Sequence, residues 1–175
     1  MSNGAKHSLY NIFQALVDEG DEVIIPMPYW VSYLEMARLA GGKPVILETS
    51  EATGFKISPE QLEKAITPKS RLLVFNSPSN PTGAVYSADE IHALARVVEK
   101  HNLTTISDEI YEHLIYGGMK FLSLASCSPK LLTDLVVTVN GVSKTYAMTG
   151  WRIGYAAGPR AVMSAIANLQ SHSTS

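Results

Sequence analysis

The chain has 175 residues, 46% of them hydrophobic and 17% charged, with a formal net charge of −2. That length suffices for one domain with its own core, and the charge leaves no basic footprint for nucleic acid or an anionic membrane. The single Cys127 closes no intramolecular disulfide, the five histidines are scattered without metal-ligand spacing, and no apolar run approaches a membrane span. Residues 1–4 open no signal peptide. The expectation is a soluble, cytoplasmic chain with no metal site and neither nucleic acid nor membrane as partner.

In chain order, residues 5–17 read as a helix, with Leu9, Ile12, Phe13 and Leu16 on one side. Short apolar runs follow at residues 21–26, 45–48, 71–76, 103–108, 134–139 and 151–156. Runs this short and continuous fit strands buried on both faces, as in a mostly parallel sheet. Between them stand helix starts. Ser58-Pro59-Glu60-Gln61 offers a capping hydroxyl, a proline at the first helical position and a Gln placed to close a capping box; Ser87-Ala88-Asp89-Glu90 repeats the device. Downstream, Ile91, Leu94, Ala95 and Val98 mark one helical face, and Pro159 opens a last helix through Leu169. Strand-helix alternation predicts an α/β fold, a mostly parallel sheet flanked by helices in an α/β/α sandwich. The chain reads as part of a domain: Met1 stands just before a helix with no strand expected ahead of it, and residues 170–175 trail away from one.

In such sheets ligands sit beyond the carboxyl ends of the strands, so polar residues there carry the functional reading. Asn76-Ser77-Pro78-Ser79-Asn80-Pro81-Thr82-Gly83 is a rigid turn that admits a cis peptide, and it holds the Asn80 amide at that edge. As a plain strand-to-helix loop it is equally well explained. Asp108 ends a strand; a carboxylate buried there wants a cationic partner, although capping the next turn is its bland use. Tyr111, three residues on, offers a phenol. Lys144, between Ser143 and Thr145, is a candidate amine nucleophile, against the common case of a solvated surface lysine. Arg152, between Trp151 and Ile153 in an apolar strand, suits a phosphate. Gly4-Ala5-Lys6 at a helix start provides free N–H groups that favour an anion.

Taken in this order, Pro28-Tyr29-Trp30-Val31-Ser32-Tyr33, residues 76–83, residues 107–112 and Ser143-Lys144 with Met148-Thr149-Gly150-Trp151-Arg152-Ile153-Gly154-Tyr155 resemble the fold-type I pyridoxal-phosphate enzymes. Within them the chain is similar to the class I aminotransferases, in the bacterial aspartate and aspartate/prephenate branch. The resemblance runs over residues 1–175 and implies the central part of a cofactor-binding large domain, with an N-terminal arm and a C-terminal small domain absent. It implies pyridoxal 5'-phosphate as cofactor and an amino acid, aspartate or similar, with a 2-oxo acid as substrates. A homodimer is implied for the full-length form.

By the same resemblance Lys144 would hold the cofactor as an internal aldimine and move the proton between the substrate Cα and the cofactor's aldehyde carbon. Asp108 would pair with the protonated ring nitrogen. Tyr111 and Asn80 would bond the phenolic oxygen, with Asn80 also reaching the substrate carboxylate. Trp30 would stack on the ring and meet the substrate. Gly4, Ala5, Lys6 and Arg152 would hold the phosphate, and Lys6 would also recognise an acidic substrate side chain. Many relatives have a phosphate-binding serine where this chain has Gly141, which leaves two alternatives: fewer phosphate contacts, or Ser143 as the hydroxyl that contributes. Two alternatives stay open: a C–S lyase or related elimination enzyme on the same scaffold, and an inactive piece that binds cofactor without turnover.

Overall fold

The computed structural model describes residues 1–174; Ser175, at the end of the trailing segment, lies outside the described residues. Seven strands form one sheet: β1 (Ser2–Asn3), β2 (Glu22–Pro26), β3 (Lys43–Leu47), β4 (Ser70–Asn76), β5 (Thr104–Asp108), β6 (Val136–Gly141) and β7 (Ile153–Ala157). Their spatial order is β1-β7-β6-β5-β4-β2-β3. Pairs β2/β3, β2/β4, β4/β5 and β5/β6 are parallel, while β7 runs antiparallel to both β6 and β1. The edges suit exposure. β1 is only two residues long, and Pro44 lies on β3, an edge strand where its missing N–H interrupts no inner ladder.

Five helices cover the sheet: α1 (Ala5–Leu16), α2 (Ser32–Leu39), α3 (Pro59–Ala65), α4 (Ala88–His101) and α5 (Arg160–Ser171). Alternation along the strands sends Ile24, Leu73, Phe75 and Val136 into one core with Leu62 of α3 and Ile91, Leu94 and Val98 of α4. Val23, Ile25, Leu72, Val74, Ile106, Val137 and Val139 point into the other, against Leu9, Ile12 and Phe13 of α1, Met36 of α2, and Met163 and Ile166 of α5. Ile12 and Phe13 are wholly buried, each contributing about 1.5–3 kcal/mol. The fold is the α/β/α sandwich expected from the sequence. No helix among the described residues is long and apolar enough to cross a membrane.

Several local expectations change. Ser87 and Glu90 form a complete capping box: the Glu90 N–H donates to Ser87 Oγ at 3.3 Å, and the Ser87 N–H to Glu90 Oε2 at 2.7 Å. At α3 the box does not close. Ser58 Oγ accepts from the Gln61 N–H, but the Gln61 side chain donates instead to the Glu48 carbonyl at 2.6 Å, tying α3 to the end of β3. Asp134 and Leu135, read as strand, lie in a π-helical turn (Leu131–Leu135) that buries Leu131 and Leu135. Trp151 belongs to a 3-10 turn (Thr149–Trp151), so the last strand starts at Ile153. A strand does precede the first helix: Ser2 and Asn3 pair with Gly154 and Ile153. α2 went unpredicted because its N-cap is Val31, which supplies no side-chain acceptor.

Candidate active site

Parallel strands β4, β5 and β6 end side by side at Asn76, Asp108 and Gly141, the first two being direct register partners. The N-terminus of α1 meets the same edge, because β1 pairs with β7 and Gly4 then turns the chain at φ +81°. Between these ends lies a cleft of ≈ 240 Å³. Of the sequence-predicted site residues, Ala5, Lys6, Trp30, Asn80, Asp108, Tyr111, Ser143, Lys144 and Arg152 all line it. Gly4 does not, but lies directly beneath Arg152: a Cβ at Gly4 would sit 2.3 Å from the guanidinium Nη2.

Asp108 is the most constrained group. It is buried, and Tyr33 Oη donates to its Oδ2 at 2.5 Å. The Ile110 N–H donates to Oδ1 at 3.3 Å, so Asp108 also caps its turn. Burial pushes the carboxyl up to about 6, against the pull of those two donors. The Tyr33 phenol is pushed well above its usual value, first by burial and then by the Asp108 charge and hydrogen bond. In place of the cation expected beside Asp108, the protein supplies a neutral hydroxyl.

Asn76 joins two site segments. Its Nδ2 donates to the Asp108 carbonyl at 2.9 Å, and its Oδ1 accepts the Asn80 N–H at 2.8 Å. The loop that carries Asn80 has cis bonds before Pro78 and Pro81 and closes through Gly83, whose N–H donates to the Ser79 carbonyl at φ +71°. Only the left-handed region serves that turn, which favours glycine.

Lys144 stands in the turn after β6, exposed, with Nζ 5.8 Å from the centroid of the Tyr111 ring. Lys6 Nζ lies 4.9 Å over the Trp30 ring, which meets Tyr33 edge to face at 5.4 Å. Arg152 is not within a strand as its apolar neighbours predicted. It is exposed, in the left-handed conformation at φ +52° between the 3-10 turn and β7, and its Nη1 donates to the Thr149 carbonyl at 3.0 Å. That kink turns the guanidinium back over Gly4 instead of along the sheet.

Three cations, Lys6, Lys144 and Arg152, thus face one carboxylate across the cleft. The N–H groups of Ala5 and Lys6 have no carbonyl of their own helix to bond, and no acidic residue occupies the first turn of α1. An anion is favoured at that end. At the Asp108 end the free lone pairs favour a donor, best a cationic one. The donor set therefore fits a ligand with a phosphate at one end, a protonatable heterocyclic nitrogen at the other and a carbonyl within reach of an amine.

Gly141 is explained by packing. A Cβ there would sit 2.8 Å from the Ile153 carbonyl oxygen and 3.3 Å from Ile110 Cδ1, so a serine would have to displace β7. Ser143 is the hydroxyl that lines the cleft. The sequence reading assigned no role to Tyr33 or Asn76, although both line the cleft; the signal for Tyr33 was its place in the aromatic run from Tyr29. No group of three or more metal-ligating side chains comes together among the described residues.

A family model described as aminotransferase class I and II matches residues 1–175. An aspartate aminotransferase of Geobacillus stearothermophilus is 58% identical over 172 residues, 98% of this chain and 44% of that protein. An aspartate/prephenate aminotransferase of Nitrosomonas europaea is 52% identical over 176 residues, 100% of this chain and 44% of that protein. Among solved structures, the aspartate aminotransferase from Rhizobium meliloti superposes with a TM-score of 0.96 at 48% identity, covering 99% of this chain and 44% of the other. The Thermus thermophilus aspartate aminotransferase with maleate gives 0.92 at 50% identity, covering 98% and 44%. The chain spans about 44% of the length of these relatives.

Proposed function

We propose, from the premise that this chain belongs to the class I and II aminotransferase family, that it forms the central part of the cofactor-binding large domain of a pyridoxal-phosphate-dependent aminotransferase. The enzyme moves an amino group between an amino acid, aspartate or similar, and a 2-oxo acid. It works as a cytoplasmic homodimer. The observation that carries the reading is that the Lys144 amine and the Asp108 carboxylate face one cleft, with Arg152 folded over the start of α1 at its side. The names borne by the relatives support aspartate as the amino donor.

When bound, pyridoxal phosphate supplies an aldehyde for amines to condense with and a protonated ring that draws electrons from the substrate Cα. Arg152, Ser143 and the N–H groups of Ala5 and Lys6 hold the phosphate. Asp108, ionised, would accept from the ring N–H, and that cation would offset the burial that pushes this carboxyl up. Tyr111 and Asn80 donate to the ring hydroxyl oxygen, with Asn80 held by its backbone bond to Asn76. Trp30, which lines the cleft, would cover the ring face and exclude water from it. Lys144 Nζ would hold the cofactor covalently and, as a free neutral amine, would take the proton from the substrate Cα. Lys6, fixed over Trp30, meets the side-chain carboxylate of an acidic substrate.

The test is a single-turnover reaction of the cofactor-loaded protein with aspartate. Transamination converts the cofactor to its amine form and releases one equivalent of the matching 2-oxo acid. Ammonia release with regeneration of the aldehyde form would assign an elimination enzyme instead. Failure to bind the cofactor would overturn the reading altogether.

A further inference from the structure

Tyr33 and Asp108 are 75 residues apart in sequence, both buried, and joined by the 2.5 Å bond from Oη to Oδ2. The geometry points to Tyr33 as a positioning residue that holds Asp108 as an ionised acceptor and reserves Oδ1 for a protonated heterocycle in the cleft. This rests on the cofactor reading above and goes beyond it in naming what sets the state and orientation of the acid.

Three observations carry it. First, a phenol at ordinary pH offers one proton, and here that proton is committed to Asp108, so the carboxyl oxygen it meets has to accept. A protonated Asp108 keeps only part of that bond. Second, Oδ1 has a single donor among the described residues, the Ile110 N–H at the long distance of 3.3 Å, which leaves acceptor capacity facing the cleft. Third, the phenol is rigidly mounted. Tyr33 sits in the first turn of α2, its N–H donates to the Trp30 carbonyl at 3.0 Å, and the Trp30 ring stands perpendicular to it at 88°. Its hydroxyl therefore acts from a fixed point, as a group that orients another must. The titratable and charged groups around Asp108 are Tyr33 from α2, Lys6 from α1, Tyr111 and Glu109 from its own segment, and Lys144 and Arg152 from the turn between β6 and β7. Of these, Tyr33 is the one hydrogen-bonded to the carboxylate.

Tyr33→Phe keeps the ring and removes the donor. In cofactor-free protein, carboxyl 13C NMR of Asp108 reads the acid directly: the wild type titrates near 6, and the variant at a value higher by about one pH unit or more, the effect of losing a charge-assisted hydrogen bond. Pyridoxal phosphate binding, followed by fluorescence, weakens about tenfold, while competition by inorganic phosphate is unchanged. Equal carboxyl titration and equal cofactor affinity in the two proteins would overturn the proposal and leave Tyr33 a packing residue. Should Tyr33→Phe fail to fold, the 13Cζ resonance of Tyr33 in the wild type decides: a shift with the midpoint of the Asp108 carboxyl supports the coupling, and a flat response overturns it. If the wild type binds no pyridoxal phosphate, the functional reading falls, and the carboxyl titration still tests the role of Tyr33.

Discussion

Replacing Asp108 by asparagine should make the stability of the cofactor-free protein markedly less sensitive to alkali. Burial raises this carboxyl from the ordinary 3.8 to about 6 in the folded chain. Between those values the native state holds a proton that the unfolded state has released, so stability falls as pH rises. The favourable contribution is complete below about pH 4 and is lost once the pH passes the folded value. A difference of about two pH units, at about 1.4 kcal/mol each, gives roughly 3 kcal/mol. The amide introduced by Asp108→Asn keeps the shape of the carboxyl group and never ionises. Measured by urea unfolding, the stability of Asp108→Asn minus that of the wild type should therefore grow by roughly 3 kcal/mol from pH 4 to pH 8. Melting temperatures should diverge by roughly 6–12 °C over the same range, at 2–4 °C per kcal/mol. The other titrating groups are common to both proteins and largely cancel. If the proposed cationic ring partner offsets the burial, the cofactor-loaded pair should show much less of this pH dependence. The same difference at both pH values would mean that the acid is not desolvated, and the account of a site built to receive a cation would fail.

Gly154→Ala should destabilise the protein and loosen the phosphate end together. Its Cβ would stand 2.4 Å from both the Ala5 nitrogen and the Gly4 carbonyl carbon, backbone atoms that cannot rotate aside. The cost is expected at about 3 kcal/mol or more, the upper end of overpacking, with weaker cofactor binding; unchanged melting and affinity would contradict the seating of α1 on β7. Ser87→Ala removes the acceptor for the Glu90 N–H at the start of α4 and should cost about 1 kcal/mol in urea unfolding without altering cofactor affinity. Because α4 covers the face of the sheet opposite α1, a large change in affinity would refute that separation.

The inner strands were legible because β2, β4, β5 and β6 are short continuous runs between buried faces, and the capped helices because Ser58 and Ser87 announce them. The errors share a cause, backbone behaviour that side-chain type does not signal. Ser2 and Asn3 are polar and enter the sheet only through ladder bonds to β7. Arg152 looks like a strand residue by its neighbours, but the chain needs a left-handed residue there to reverse into β7. In the site, the strand-end and helix-start residues singled out by motif resemblance line one cleft, apart from Gly4. The Tyr33 contact was not, since a hydrogen bond spanning 75 residues leaves no periodic trace in either partner's surroundings.

The proposed role of Lys144 is chemical: its ε-amine would carry the cofactor. The direct measurement is to load the protein with pyridoxal phosphate, reduce with borohydride, digest, and locate the modified residue by mass spectrometry. One stable adduct is expected, on the peptide containing Lys144, and none after Lys144→Ala. An adduct of equal yield in that variant, or one on a lysine outside the cleft, would contradict it.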